Sequence, residues 1–340
     1  MSPLLDVEGL HVRIPLEQGM LHPVRGIGFN VSRGETLCIV GESGCGKSLT
    51  SLSLMGLLPR RARITATRLR FAGTDLLGLN EDALSELRGN RMAMIFQEPM
   101  TSLNPAYSIG NQLEEIYLRH RKASRSEARE RAIFLLEKVG ITAAASRLSQ
   151  YPHQLSGGLR QRIMIAMALM CGPELIIADE PTTALDVTVQ AQILRLLKDL
   201  LRELDMGLIL ITHDLGVVAR IADRVAVMYA GQIVESGSVI EIFERPRHPY
   251  MQALLRCVPI PGRTPPGASL GSIPGMVPAL YEGTKGCAFR NRCDYAAEPC
   301  ASDPVPVHAN RGSTWRCILS EDESLIHTSK AARSAETAAS

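Results

Sequence analysis

The chain has 340 residues, enough for two domains or for one large domain with an appendage. Hydrophobic residues make up 45% and charged residues 21%, the balance of an ordinary globular protein, and a net charge of +2 gives no electrostatic case for nucleic acid binding. Asp6 and Glu8 near the N-terminus, with no long apolar run after them, argue against a secretory signal or a membrane helix. We therefore expect a chain that is soluble by itself and cytosolic.

Short apolar runs alternate with amphipathic segments up to about residue 245. Buried strands are predicted at 36–41, 92–96, 174–179 and 207–212. Helices are predicted at 47–58, 124–140 and 189–204, the second beginning with a capping box of Ser124 and Glu127. Residues 224–237 are predicted to form a hairpin that turns at Gly231. Strands that alternate with helices in this way indicate an α/β architecture.

The composition changes after residue 245. Residues 245–278 are rich in proline and glycine and predict linker or irregular structure. We therefore predict a first domain at 1–245, a C-terminal extension at 246–320, and a small, polar, disordered tail at 321–340.

The sequence GESGCGKS at 41–48 follows the first predicted strand and opens a helix. It matches the phosphate-loop pattern, in which glycines let backbone N–H groups surround phosphate oxygens and the helix N-terminus adds its positive dipole end. Lys47 would reach the β- and γ-phosphates, Ser48 would hold Mg²⁺, and Cys45 would be a small filler. The predicted nucleotide-binding residues of this loop are Gly41, Glu42, Ser43, Gly44, Cys45, Gly46, Lys47, Ser48 and Leu49.

Two acidic residues end the apolar strand at 174–179. Asp179 stands at the carboxyl end, where ligands of such sheets collect, and would orient the hydration shell of Mg²⁺. Glu180 is a candidate base or water-orienting group for attack on the γ-phosphate. Acidic residues often simply end strands, so this pair is informative chiefly because the phosphate loop precedes it.

Further motifs appear in a fixed order around these two. LSGGLRQR at 155–162 closely resembles the signature of ATP-binding cassette (ABC) ATPases. The sequence is also similar to that family at Gln97 of the Q-loop, at Asp186, which ends the D-loop sequence TTALD, and at the switch histidine His213. The resemblance covers residues 1 to about 245.

This resemblance implies a P-loop NTPase fold with a RecA-like core, an antiparallel β subdomain and a helical subdomain at about 98–170. It implies that Glu180, His213 and Gln97 are catalytic and that Ser48, Gln97 and Asp179 serve Mg²⁺. Ser156, Gly157 and Gly158 would contact the ATP of a partner subunit, so that two cassettes clamp two nucleotides head to tail. Asp186 would belong to the same nucleotide-binding surface.

The segments QEPMTSLNP (97–105) and RHPYMQALL (247–255) resemble the ATPase subunits of bacterial dipeptide and oligopeptide importers. The resemblance implies two membrane permeases, a second ABC ATPase and a periplasmic or extracellular binding protein as partners. It also implies a peripheral position on the cytoplasmic face of the inner membrane. Nickel, glutathione and microcin importers share this subfamily, so another cargo stays open. A soluble ABC ATPase acting on nucleic acid is disfavoured by the single phosphate loop, and a metal-responsive regulator would leave the ATPase motifs unexplained.

One position departs from the family pattern. ABC ATPases usually place an aromatic residue before the phosphate loop, where it stacks on adenine, and the matching position here is Ile14. The first Phe, Tyr or Trp is Phe29, which is predicted to lie within a strand. Adenine contact is therefore expected to be apolar and weaker, with His11 or His22 as the alternative ring.

Four cysteines stand close together near the C-terminus, at Cys287, Cys293, Cys300 and Cys317. In a reducing compartment such a group indicates a metal or redox site and not a disulfide set. Zn²⁺ and iron–sulfur clusters both accept four thiolates, and the spacing matches neither the usual zinc pairs nor the ferredoxin runs. The extension resembles that of peptide-importer ATPases in which such cysteines hold a [4Fe–4S] cluster. A cluster is therefore predicted, with zinc and unliganded thiols as alternatives.

Nearby cations are expected to offset the negative charge of such a cluster: Lys285, Arg290, Arg292 and Arg316. The scattered cysteines Cys38, Cys171 and Cys257 are expected to fill the core.

Overall fold

A computed structural model describes residues 2–98, 102–182, 186–258, 271–283 and 285–325. The strands are β1 (Leu5–Leu16), β2 (Gly19–Val31), β3 (Thr36–Val40), β4 (Arg63–Thr65), β5 (Arg68–Phe71), β6 (Thr74–Asp75), β7 (Met92–Ile95), β8 (Leu175–Asp179), β9 (Gly207–Thr212), β10 (Arg224–Tyr229), β11 (Gln232–Ser238), β12 (Val307–Asn310) and β13 (Ser313–Arg316). The α-helices are α1 (Lys47–Leu54), α2 (Glu81–Leu87), α3 (Ile109–His120), α4 (Arg125–Lys138), α5 (Ala144–Arg147), α6 (Gly157–Leu169), α7 (Val187–Leu204), α8 (Leu215–Ile221), α9 (Val239–Glu244) and α10 (Pro249–Arg256). Short 3₁₀ helices cover Pro152–Gln154, Arg290–Arg292 and Glu298–Ala301.

The described strands form two sheets. One is antiparallel, with β1 pairing with β2, β4 and β5, and with β6 on the outer side of β5. The other is mixed and has the order β12-β13-β11-β10-β3-β9-β8-β7. Its pairs from β10 to β7 are parallel, whereas β11, β12 and β13 join antiparallel. The predicted strands are thus the adjacent parallel strands β3, β9, β8 and β7, and the predicted hairpin is β10 and β11.

The parallel strands are covered on both faces, as their continuous apolar sequences predict. Every residue of β3, β8 and β9 is buried. On β3, Cys38 and Val40 pack into a hydrophobic cluster that includes residues of the helices from α3 to α8. Leu37 and Ile39 pack into a second cluster, which includes residues of the antiparallel sheet. The parallel sheet therefore lies between two hydrophobic cores.

Helix α4 forms for the reasons that the sequence predicts. The Ser124 side chain accepts from the Glu127 N–H, and the Glu127 carboxylate accepts from the Ser124 N–H at 2.7 Å, which completes the capping box. The predicted apolar face is buried through Ala128, Ala132, Leu135, Leu136 and Val139. Gly140 follows the helix with a φ of +79°, a typical C-terminal stop.

Helix α1 is shorter than the predicted 47–58, because it ends at Leu54. Gly56 takes a φ of +62°, which breaks the helical path. The Arg88 guanidinium then donates to the carbonyls of Met55 and Gly56 at 2.7 and 3.0 Å and so satisfies the end of the helix.

The chain beyond residue 245 returns to the mixed sheet. β12 and β13 form a hairpin, and β13 pairs with β11 through Trp315 opposite Glu235. Arg247 is fully buried, and its guanidinium binds Glu241 and Glu321 and lies 5.2 Å from the centre of the Trp315 ring. A buried arginine paired in this way fixes the C-terminal hairpin to α9 and α10.

The boundary near residue 245 falls between α9 and α10 and stays a prediction. The prediction of irregular structure is wrong for residues 249–256, which form α10 because Tyr250 and Met251 pack into the core. The prediction of disorder is wrong for residues 321–325, which are helical and bind Arg247 through Glu321. Residues 259–270 of the predicted linker and 326–340 of the predicted tail lie outside the described residues. Among the residues that are described, none of the helices is both long and apolar enough to span a membrane.

Candidate functional site

The phosphate loop joins β3 to α1 and packs closely on two other strands. Gly41, Gly44 and Gly46 have φ angles of +155°, +80° and +102°, which side chains rarely adopt. A Cβ atom on Gly41 would lie 2.1 Å from the Met228 carbonyl oxygen, and one on Gly46 would lie 2.1 Å from the Pro23 carbonyl oxygen. Glycine is therefore required at both positions by contact with neighbouring backbone as well as by φ.

Lys47 is the first residue of α1 and is only 5% exposed. Its Nζ donates to the carbonyl oxygens of Gly41 and Glu42, at 2.7 and 3.0 Å. The loop thus holds this ammonium group in place with its own carbonyls. A fixed positive charge beside a helix N-terminus is a favourable setting for phosphate.

Asp179 ends β8 and is buried. Burial raises the pKa of its carboxyl, and the charge of Glu180 adds to the rise, while the Ser48 hydroxyl and the charge of Lys47 oppose it. The Oδ1 atom of Asp179 has no hydrogen-bond partner. A buried carboxylate oxygen without a partner, next to a serine hydroxyl, is a donor set that suits a hard cation such as Mg²⁺.

Glu180 receives side chains from the strands on both sides of β8. The Gln97 Nε2, just after β7, donates to Glu180 Oε2 at 3.2 Å. The His213 Nδ1, just after β9, lies 3.3 Å from Glu180 Oε1. Glu180 itself takes a φ of +46°, and its N–H donates to the Ile211 carbonyl at 2.9 Å. A non-glycine residue in this conformation costs backbone energy, and such strain is most common at functional sites.

The signature and D-loop residues begin helices. Ser156 caps α6 by accepting from the Leu159 N–H at 3.4 Å, and Gly157 is the first residue of the helix. Gly158 packs against α7, because a Cβ atom there would lie 3.2 Å from Val189 Cγ1. Asp186 caps α7 by accepting from the Val189 N–H at 2.9 Å. The rest of the D-loop, residues 183–185, lies outside the described residues.

The four C-terminal cysteines line one small cavity of about 10 Å³: Cys287, Cys293, Cys300 and Cys317. All of them are free thiols. Burial raises the pKa of Cys293 to about 12 and that of Cys317 to about 11, and neighbouring thiols add to the rise. Across the described ranges of the chain, no group of three or more His, Cys, Asp or Glu side chains could hold a metal ion. The thiols share a cavity, but they are not arranged as a metal site.

One of the cations expected around these cysteines is directed elsewhere. Arg290 lines the cavity. Arg292 instead reaches the phosphate loop, where its guanidinium binds the Glu42 carboxylate at 2.7 Å. The expectation that Arg292 offsets thiolate charge is therefore wrong, because its charge is already paired.

The chain matches two known families. The family described as ABC transporter matches residues 24–183, and the one described as oligopeptide/dipeptide transporter, C-terminal region, matches residues 234–300. A putative peptide import ATP-binding protein of Brucella melitensis is 51% identical over 93% of this chain and 97% of its own length. The chain belongs to the ABC transporter ATP-binding family.

Further comparisons agree with this assignment. The dipeptide transport ATP-binding protein of Escherichia coli is 50% identical over 94% of this chain and 98% of its own length. A solved dimeric bacterial ABC transporter cassette matches with a TM-score of 0.62 and 26% identity, over 69% of this chain and 98% of that one. The fold is thus the ABC nucleotide-binding cassette, and the chain is an ATPase with ATP as substrate and Mg²⁺ as cofactor.

The ABC cassette brings some of the predicted residues together and leaves others apart. Five of the predicted residues lie at or after the carboxyl ends of adjacent parallel strands: Lys47, Gln97, Asp179, Glu180 and His213. The signature at 156–158 makes no hydrogen bond or ion pair to these five within the described parts of the chain.

The β1–β2 hairpin, which carries Ile14, has a neighbour that the sequence did not indicate. Ile14 pairs with Leu21, and Leu21 in turn bridges to Tyr281 from the C-terminal part of the chain. His11 and His22 bind each other at 3.0 Å, and burial lowers the pKa of both, that of His22 to about 4. No local pattern singles out Tyr281, because its position beside β2 depends on the folding of residues far along the chain.

Proposed function

We propose that this chain is the ATP-hydrolysing subunit that energises the import of dipeptides or oligopeptides through a membrane ABC transporter. The observation that carries the proposal is the contact of Glu180 with both Gln97 and His213, next to Asp179 and the loop that holds Lys47. The named functions of the relatives, peptide import and dipeptide transport, support the class of cargo.

In this proposal the phosphate loop and Lys47 bind the β- and γ-phosphates of ATP. Ser48, Asp179 and Gln97 would hold Mg²⁺, which supplies charge neutralisation at the phosphate oxygens when it is bound. The unpartnered Oδ1 of Asp179 supports this role, because a buried carboxylate oxygen needs a cation or a donor.

Glu180 orients and deprotonates the water that attacks the γ-phosphate. Each of its two oxygens contacts a different neighbour: Oε2 contacts Gln97, and Oε1 contacts His213. These two contacts fix the plane of the carboxylate. His213 would contact the γ-phosphate, and Gln97 would sense it. Preorganised polar groups of this kind lower the barrier because they need little rearrangement during the reaction.

We propose that a second ABC ATPase completes the site. Ser156 and Gly157 are exposed at the start of α6, a helix of 13 residues. Their backbone N–H groups are suited to the ATP held by a partner subunit, and Asp186 is exposed at the start of α7. Two such subunits would close head to tail over two nucleotides and reopen after hydrolysis.

We propose that the helical region at 98–170 docks the membrane permeases. A cavity of about 1190 Å³ lies beside β7, α3 and α6, and its lining includes Leu57, Phe96 and Tyr107. Phe96 and Tyr107 are 41% and 54% exposed, and Phe96 directly precedes Gln97. Large apolar side chains at a groove next to the ATP site favour a docking surface that responds to nucleotide. Docking there would hold the chain on the cytoplasmic face of the inner membrane and join it to a binding protein through the complex.

We also propose that Cys287, Cys293, Cys300 and Cys317 hold a [4Fe–4S] cluster. Four cysteines around one buried cavity, with Arg290 beside them, are a donor set that iron–sulfur clusters use. Forming the cluster would require the thiols to ionise and to move closer to a shared centre, since they have raised pKa values and no metal-ready grouping.

Transport in proteoliposomes tests the main proposal. The chain would be reconstituted with its proposed permeases, partner ATPase and binding protein, and uptake of labelled dipeptides would be measured. We expect ATP-dependent uptake that Lys47→Ala abolishes and Lys198→Ala preserves, since Lys198 donates to the Arg220 carbonyl at 2.8 Å on the surface. Uptake of nickel or glutathione but not of peptides would contradict the cargo class.

Anaerobic purification tests the cluster. We expect absorbance near 400 nm and about four irons per chain, lost together in Cys317→Ser but retained in Cys257→Ser. A colourless sample free of iron would contradict the proposed cluster. If that sample contained one equivalent of zinc, the four cysteines would be a zinc site instead.

A further inference from the structure

Arg292 lies next to Cys293 and extends to the phosphate loop. Nη1 and Nη2 donate to the two oxygens of Glu42 at 2.7 and 3.2 Å, a bidentate pair. Nη1 also donates to the Tyr229 hydroxyl at 3.2 Å, and Nη2 and Nε donate to the carbonyls of Ile273 and Pro274 at 3.1 and 2.8 Å. These bonds use the full donor capacity of the guanidinium, whose side chain is 7% exposed. Arg292 therefore has one well-defined position.

Glu42 is bound at its carboxylate and at its N–H by residues outside the loop. Its carboxylate is paired with Arg292, and its N–H donates to the Tyr250 hydroxyl at 2.9 Å. Its carbonyl accepts from Lys47 Nζ at 3.0 Å. The contacts thus run from Arg292 through a single residue to the ammonium group of the ATP site.

The contacts between Arg292 and Glu42 lie beside an aromatic cluster of Tyr229, Tyr250 and Phe289. The ring centres of Tyr229 and Tyr250 are 4.6 Å apart, and Phe289 packs edge-on against Tyr229 at 5.2 Å. Phe289 also lines the cysteine cavity. The turn that carries Arg292 is therefore packed against the end of β10 and is not free to swing away from the loop.

We propose that Arg292 is a positioning residue of the ATP site, which acts through Glu42 to hold Lys47 in place. Without the guanidinium, the Glu42 carboxylate loses both charged hydrogen bonds, and the Gly41–Glu42 backbone that holds Nζ is released. Residues near the cysteine cavity would thereby set the affinity of the cassette for ATP. The proposal rests on the role of Lys47 in binding phosphate that is proposed above.

Steady-state hydrolysis and binding of a fluorescent ATP analogue by the full-length protein, in complex with its permeases, test this link. Arg292→Gln and Glu42→Gln should each raise KM and the Kd for the analogue about tenfold, because each breaks the same partly buried charged pair. The kcat should change less than about threefold, since Lys47 is displaced in the ground state and transition state alike. Arg292→Lys should restore only part of the affinity, because one ammonium cannot pair with both oxygens and both carbonyls.

The double variant Arg292→Gln/Glu42→Gln should be no worse than either single change, since both remove one interaction. Arg256→Gln is the matched control, because the ion pair of Arg256 with Asp294, at 3.1 Å, is exposed, and this change should keep KM within about twofold. KM and Kd within twofold of wild type in both Glu42→Gln and Arg292→Gln would overturn the proposal. If Arg292→Gln fails to fold, Glu42→Gln decides by itself. If Lys47→Ala also binds ATP normally, it is the assignment of the ATP site that fails instead.

Discussion

The catalytic side chains and the cysteines are gathered by different kinds of structure. Glu180, Gln97 and His213 follow directly after β8, β7 and β9, whose ladders are regular and parallel. The cysteines lie on turns, on a 3₁₀ helix and just after β13, which belongs to the β12–β13 hairpin at the edge of the same sheet. Main-chain pairing between strands sets the geometry of the catalytic side chains. The geometry of the cysteines depends instead on side chains buried between the C-terminal turns and the neighbouring helices and strands.

This difference teaches where each region is vulnerable. At the ATP site, neighbouring strands fix the positions of Glu180, Gln97 and His213, so a substitution of one of these side chains should change chemistry more than folding. In the C-terminal part, Arg247, Glu235 and Arg292 are buried ionisable groups that hold the chain against the cassette. Removing one partner from such a group leaves another charge without compensation, so the cost should appear as stability or affinity.

The largest effect is expected for Glu180→Gln. Replacing the carboxylate by an amide keeps the shape but removes the base, so kcat should fall about 10²- to 10⁴-fold while the Kd for ATP stays within about threefold. Hydrolysis by the assembled transporter and equilibrium nucleotide binding measure the two quantities. Glu282→Gln, which changes an exposed partner of Arg13, is the control and should leave both unchanged. Retained hydrolysis in Glu180→Gln would mean that the strand ends do not carry the chemistry.

A pair of glycine substitutions separates backbone contact from backbone conformation. Gly46→Ala places a Cβ atom 2.1 Å from the Pro23 carbonyl oxygen, so the loop must move, at a cost of about 4 kcal/mol. Gly44→Ala meets open space and pays only for its φ of +80°, about 1 kcal/mol. Thermal unfolding and ATP binding should both be much more affected by the first change. Equal effects would show that φ alone governs the loop.

In the C-terminal part, Arg247→Met should destabilise the attachment of the hairpin β12–β13 by about 3 kcal/mol, because Glu241 and Glu321 lose their shared partner. Trp315 fluorescence during urea unfolding would report this loss, since its ring packs on the guanidinium. Arg245→Met, at an exposed position two residues away, should change stability by less than about 0.5 kcal/mol. Equal unfolding midpoints for the two variants would contradict a structural role for the buried arginine.

The two regions also differ in how far the sequence predicts them. The buried strands β3, β7, β8 and β9 and the functional candidates Lys47 and Asp179 are predicted by local signals, namely apolar runs, a glycine pattern and strand-terminal acids. These signals suffice because parallel strands bring their carboxyl ends to one edge. The placement of Lys47 and Asp179 at one edge can thus be inferred from sequence patterns, whereas Gln97 and His213 are indicated only by the family resemblance.

Contacts made by residues far apart in sequence leave no such signal. Adjacency to Cys293 suggests that Arg292 serves the cysteines, yet its partner is Glu42. Tyr281 beside β2 and Arg247 between two glutamates escape sequence patterns for the same reason. An arginine side chain is long enough to reach partners in several directions. Tertiary packing decides which partner it contacts, and that packing leaves no periodic pattern in the sequence.

The smallest expected effect is a pH dependence that belongs to the C-terminal attachment alone. Glu235 is fully buried on β11 and accepts from the N–H groups of Arg247 and His248, at 2.7 and 2.9 Å. Burial raises the pKa of its carboxyl from 4.5 to about 7, against the effect of these two hydrogen bonds. The folded protein therefore keeps a proton on Glu235 at a pH where the unfolded chain has released it.

The raised pKa of Glu235 determines in which direction the free energy of unfolding changes with pH. Its contribution to stability is complete below the unfolded pKa of 4.5 and is lost as the pH rises through about 7. Relative to Glu235→Gln, the wild-type protein should lose about 2 kcal/mol of unfolding free energy between pH 5 and pH 7, and little more above pH 8. His248 and the other titrating groups are common to both proteins, so the difference between their urea unfolding curves isolates Glu235. A difference that stays constant across this range would show that Glu235 is ionised in the fold, with its charge offset by the N–H groups at the start of α10 in the same way that the phosphate loop offsets its ligand.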